Sequence, residues 1–169
     1  MKDNHIVREG IVSSVNVAEH TARVIFEDAD GMVSAELPVL VSFAGQNKMY
    51  ALPDVGESVV CLFLENNGQS GAAGFILGSR YHAQLTPAVQ SQDITRIDFA
   101  DNAFISYDRK EHEFRIDFAD DAFISYTRNN HEFKIQFSDG ASIVHRSNGN
   151  LLIQNKGDII MDGRQIKLN

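Results

Sequence analysis

The chain has 169 residues, a formal net charge of -8 and one cysteine, which is enough for one ordinary domain with an extension. The acid excess excludes a phosphate backbone as main partner, since that contact rests on clustered Lys and Arg, and one cysteine excludes an intrachain disulfide. No run of eighteen apolar residues and no charged, apolar, small-residue leader stands in the sequence, so neither a membrane span nor a signal peptide is expected.

From Arg8 the run REGIVSSVNV alternates weakly between apolar and polar residues, Ala18-Glu19-His20 reads as a turn, and TARVIF alternates again, which predicts a hairpin. Asp28-Ala29-Asp30-Gly31 is a second turn signal. SAELPVLVSF, GESVVCLFLE and GFILGSRY follow as strands, separated by a loop at Gly45-Gln46-Asn47 and a polar loop from Asn66 to Gly71. Five strands in about seventy residues is the size and count of an OB-type barrel. Residues 1–82 are therefore expected to form an OB-fold domain, with Cys61 in its core. Such barrels often bind oligonucleotides through aromatic and basic residues. Residues 1–80 hold five Lys and Arg against ten acids, so a docking module is expected here and nucleic acid is not.

The block from Ala51 to His82 resembles the phage baseplate assembly protein V family, the central spike proteins of contractile tails. Its Pro-x-x-Gly-Glu-x-Val approach is Pro53, Gly56, Glu57 and Val59, its Gly-x-Ile-Leu-Gly strand is Gly74, Ile76, Leu77 and Gly78, and REGIVSSVN from Arg8 fits the entry strand. The likeness covers most of residues 6–82. Structural roles account for these residues without the family: Pro53 fixes a bend, Gly56 permits a turn, and Gly74 and Gly78 bracket a short strand at close packing distance.

Residues 83–95 are polar, carry Pro87 and show neither periodicity, which predicts a linker. Residues 96–169 are organised by a tandem repeat, RIDFADNAFISYDRKEHEF from Arg96 followed by RIDFADDAFISYTRNNHEF from Arg115, identical at fifteen of nineteen positions. Each copy holds two alternating runs, Phe114-x-Ile116-x-Phe118 and Ala103-x-Ile105-x-Tyr107, so each is a strand, turn, strand, turn unit. A third, degenerate copy follows from Lys134 and a fourth from Leu151, broken at Lys156-Gly157-Asp158 and Asp162-Gly163. The ladder is expected to run to the last residue, with about eight strands and a length on the order of 40 Å.

A ribbon with one apolar row and no covering helix leaves that row wet, which forfeits roughly 1.5–3 kcal/mol per large side chain. Self-association about the long axis closes it. Three chains would form a β-helix or β-prism with Ile97, Phe99, Ile105, Phe114, Ile116, Phe118, Ile124, Phe133, Ile135, Phe137 and Ile143 inward. A two-chain sandwich satisfies the pattern equally.

The six histidines form no metal-binding spacing, and no nucleophile or phosphate-loop motif is present, so neither catalysis nor a cofactor is expected. Asp98 and Asp117 have the outward parity and read as a solvated face, while Asp101 and Asp120 read as turn residues. His112 and His131 fall in the inward row. Three copies of either could surround an axial ion, although each also stands beside a turn that it could simply close.

The resemblance implies the rest: a homotrimer docked to a baseplate hub by its OB domain and driven into the target cell envelope by sheath contraction, in a virion tail or a phage-tail-like particle. Some family members end in a His-x-His iron-binding apex. This chain lacks that motif, which implies a blunt end or a separate tip-capping protein. The rival readings are an OB-fold nucleic-acid-binding protein and a tail-associated cell-wall hydrolase.

Overall fold

The computed structural model describes residues 7–64 and 73–162. The chain is all-β and divides into two compact units, Met1–Pro87 and Ala88–Asn169.

In the first unit β1 (Val7–Asn16) turns back into β2 (Thr21–Phe26), and their alternating residues Val12, Ala22, Val24 and Phe26 are buried. A 3-10 turn at Glu27–Ala29 leads to β3 (Met32–Val33) and β4 (Leu37–Pro38), both paired with β2. The expected single strand SAELPVLVSF is thus only a short pairing. The Ser34 hydroxyl takes the Val24 N–H (3.0 Å), and Pro38 has no N–H to give to a ladder. β5 (Ser58–Phe63) pairs with both β1 and β6 (Gly74–Ser79). A parallel bridge, Val39↔Ile76, then joins the end of β4 to β6 and makes the pairings a ring. Inside it Val12, Val24, Phe26, Leu37, Val59, Cys61 and Ile76 form one core.

The predicted bend and glycines have identifiable work in this unit. Pro53 is buried, the Glu57 N–H closes a turn on the Asp54 carbonyl (3.1 Å), and the Glu57 carboxylate accepts the Asp54 N–H (2.7 Å). Gly56 within that turn has φ +94°, a conformation that side chains disfavour. Gly74 lies against β5 so closely that a Cβ would stand 2.7 Å from the Leu62 carbonyl. The predicted polar loop from Asn66 to Gly71 lies outside the described residues.

Among the described residues the second unit is a seven-stranded antiparallel meander: β7 (Ile94–Asp98), β8 (Phe104–Asp108), β9 (Glu113–Asp117), β10 (Phe123–Thr127), β11 (Glu132–Gln136), β12 (Ser142–His145) and β13 (Leu151–Gln154). β7 begins two residues inside the expected linker. The repeat sets a single register: Ile97, Ile105, Ile116, Ile124, Ile135, Ile143 and Ile153 are successive cross-strand partners. Turns alternate between the two sides of the ladder. On one side the Phe99, Phe118 and Phe137 N–H groups bond the Ala103, Ala122 and Ala141 carbonyls. There Asp101, Asp120 and Asp139 each accept the N–H two residues on, and Asn102, Asp121 and Gly140 take positive φ.

Among the described residues the last strand of the ladder ends at Gln154. Asn155 Nδ2 instead donates to the Asp158 carbonyl (3.1 Å) in a local loop around Gly157. The seven described strands at the usual interstrand spacing span about 29 Å from the first to the last. The expected continuation from Gly163 to Asn169 lies outside the described residues.

Candidate functional site

The two faces of the ladder differ in how they are finished. On one, the diagonal cross-strand relation brings the Arg96 guanidinium 3.7 Å from the centre of the Phe104 ring, and Arg115 sits 3.8 Å from that of Phe123. Arg96 also pairs with Asp98 (2.5 Å), and Arg115 with Asp117 (2.6 Å). Ser125, flanked by Arg115 and Lys134 on the adjoining strands, is buried. This face carries its own polar cover.

Asp117 was expected to stand in water, and the structure corrects that: its side chain is only 16% exposed. Burial works to raise its pKa. The Arg115 hydrogen bond, the Ala119 N–H and the charges of Arg115 and Arg96 outweigh burial, so the carboxyl titrates below the ordinary range. Asp108 is also held low, first by the Glu111 N–H, against some desolvation, then by the Lys110 N–H and the charges of Lys110 and His112.

The opposite face has no such cover. Its central row is the isoleucine row. Beside that row run Tyr107, Phe114, Tyr126 and Phe133 as direct cross-strand partners, and toward the other side Phe99, Phe118 and Phe137. Ile97 is 57% exposed, Phe118 51%, Phe114 44% and Tyr107 42%. All the residues expected to point inward, from Ile97 to Ile143, belong to this face by strand parity or follow it into the turns. Tyr107 and Tyr126 belong to it as well. They were missing from the expected row, although the Ala103-x-Ile105-x-Tyr107 alternation carried the signal. The face measures on the order of 500 Å², at the upper end of the apolar patches that monomers leave exposed.

His112 and His131 close turns in the left-handed conformation, with φ of 52° and 48°. They recur one repeat apart, about 9.6 Å along the ladder. His112 Nδ1 is buried without a hydrogen-bond partner, while His131 is exposed. Among the described residues no three of His, Cys, Asp and Glu converge within one copy.

In the first unit, the loop after β4 is anchored by the Leu40 N–H on the Ile76 carbonyl and the Met49 N–H on the Phe43 carbonyl (both 2.9 Å). It carries Phe43, Met49 and Tyr50 exposed. Cys61 is enclosed in the core, where burial pushes its thiol up to about 11. No family model matches this chain, and no curated protein matches it.

Proposed function

We propose that the chain is the central spike of a contractile tail baseplate, assembled as a homotrimer in a virion or phage-tail-like particle. Its first unit is an OB-fold barrel docked on a hub protein, and its second a β-prism driven into the cell envelope on sheath contraction. The observation that carries this reading is the uncovered apolar face of the repeated ladder. Three such faces turned inward would bury it, leave no lateral strand edge free, and load every ladder hydrogen bond together.

Two further features support it. The ring of pairings in the first unit, closed by a parallel bridge to the last strand, is the connectivity expected of a five-stranded OB barrel. The exposed Phe43, Met49 and Tyr50 offer a hub an apolar contact. The Pro53 to Val59 block and the Gly74 to Gly78 strand carry the resemblance to the baseplate protein V family. A spike acts by transmitting force, so the reading assigns no catalytic residue.

The test is to raise antibodies to the chain and examine contractile tail particles from the producing strain by immunogold electron microscopy. Label confined to the baseplate end is expected. Particles that contract normally while lacking the chain would refute the assignment.

A further inference from the structure

β1 changes partner partway along its length. Val7 to Ile11 pair with β5 on one edge, and Ile11 to Asn16 pair with β2 on the other. The Val12 N–H bonds the Glu57 carbonyl (3.0 Å), and the Val12 carbonyl accepts the Gly56 N–H (2.9 Å). Backbone groups along a strand alternate between its two edges, so Gly10 and Arg8 also face β5, whereas Ile11, Glu9 and Val7 face the other way. Ile11 meets Ile25 of β2 there. One step further β2 has ended at Phe26, and the chain turns off as the 3-10 turn Glu27–Ala29. Glu9 and Val7 are left with their N–H and C=O groups on an open edge, and among the described residues none of these groups has a backbone partner there.

A cleft of about 470 Å³ opens beside this edge, the size of an ordinary ligand site rather than of a packing defect. It is lined by Val7 to Ile11 of β1, by Glu27 and Asp28 of the 3-10 turn, and by Ser58 and Arg80. Its charges are partly engaged. Arg80 is paired with Glu9 (2.6 Å), and the Arg8 guanidinium lies 5.7 Å from the centre of the Phe26 ring. Glu27 and Asp28 are exposed and make no ion pair among the described residues. Residues 1–80 hold ten acids against five Lys and Arg, so the field of the whole unit and the two free carboxylates both favour a cationic occupant.

We infer that this cleft takes an extended basic segment of a partner protein, which adds to β1 as an antiparallel strand in the line that β2 vacates. Pairing opposite Val7 and Glu9 supplies up to about four main-chain hydrogen bonds, and a Lys or Arg of the incoming segment meets Glu27 and Asp28. The backbone bonds hold the segment, and the two carboxylates select the sign of its charge. This rests on the docking role proposed for the first unit and deepens it, because the hub then contributes a strand. The two readings fail separately: unlabelled baseplates remove the hub as the source of the strand, whereas a peptide assay reads the strand site alone.

The probe is a fluorescent alternating Lys-Val hexapeptide, titrated against the full chain and read by anisotropy. Its counterpart N-methylated at every residue and an alternating Glu-Val hexapeptide are the controls. Saturable binding of the basic, unmethylated peptide alone is expected. Val7→Pro removes a cleft-facing N–H at the first residue of the strand and leaves the bonds to β5 in place, and Glu27→Lys/Asp28→Lys reverses the carboxylates. Each should weaken binding at least about tenfold, with circular dichroism checking that the variants are folded. Hydrogen exchange followed by NMR should show the Val7 and Glu9 amides newly protected by the peptide, and the Arg8 and Gly10 amides, which face β5, unchanged. Binding of the N-methylated peptide, or full-strength binding by folded Val7→Pro, overturns strand addition. Equal binding of the acidic peptide overturns the basic occupant, and a wild type that binds no peptide overturns the site itself.

Discussion

Ile124 is the most informative single position in the ladder, because it lies at the centre of the apolar face with Ile116 and Ile135 as its cross-strand partners. In one copy it is half-buried, and replacing it with Asp changes little besides its cross-strand contacts, worth about 1 kcal/mol. Assembly changes the arithmetic. Each copy forfeits about 1.5–3 kcal/mol of isoleucine burial. It must also strip water from a carboxylate where the strands carry no cation, at a cost of several kcal/mol more. Across three copies the penalty passes about 10 kcal/mol, or roughly seven orders of magnitude in association constant. Ile124→Asp should therefore be a folded monomer at any workable concentration. Thr127→Asp is the matched control, since it adds the same charge on the covered face and reproduces the Asp108 that occupies the equivalent place in the first repeat. Size-exclusion chromatography with circular dichroism reads both. Normal assembly of Ile124→Asp, or loss of assembly in both variants, would refute the assignment of faces.

Three further expectations follow from the same geometry. Cys61 should resist thiol reagents in the native protein at pH 8 and react at once in denaturant, and labelling at the rate of a free cysteine would contradict its enclosure. Because the Asp117 pKa is depressed on folding, the stability it contributes is present above the ordinary carboxylate pKa of about 3.9 and is lost as pH falls through its folded value. Asp117→Asn should therefore flatten the acid side of the stability profile, and an unchanged profile would argue against the Arg115 pairing. Deleting residues 115–133 joins Phe114 to Lys134 with parity intact. β8 then meets the fused strand through Ile105 and Ile135, and the protein should fold and assemble about 9.6 Å shorter; an unfolded or aggregated product would show that the repeats are not interchangeable.

The ladder was legible because period-two alternation and the Ala-Asp-Asn and Ala-Asp-Asp turns set parity without tertiary help, and duplication stated the register twice. The same parity included Tyr107 and Tyr126, direct cross-strand partners of Phe114 and Phe133. The Arg96–Phe104 and Arg115–Phe123 stacks were not legible, because they join residues that become neighbours only once the diagonal register is known. In the first unit the third strand was overread. SAELPVLVSF has strand-like composition, but the Ser34 side chain and Pro38 divert the backbone bonds that a longer pairing needs.

The claim on which the rest depends is that the apolar face is closed by further copies of the chain. Multi-angle light scattering on the purified protein measures this directly. A mass of three times the 18.8 kDa chain is the result the account predicts. A monodisperse 18.8 kDa species across the accessible concentration range would contradict it, because the isoleucine and aromatic rows would then have nothing to bury them.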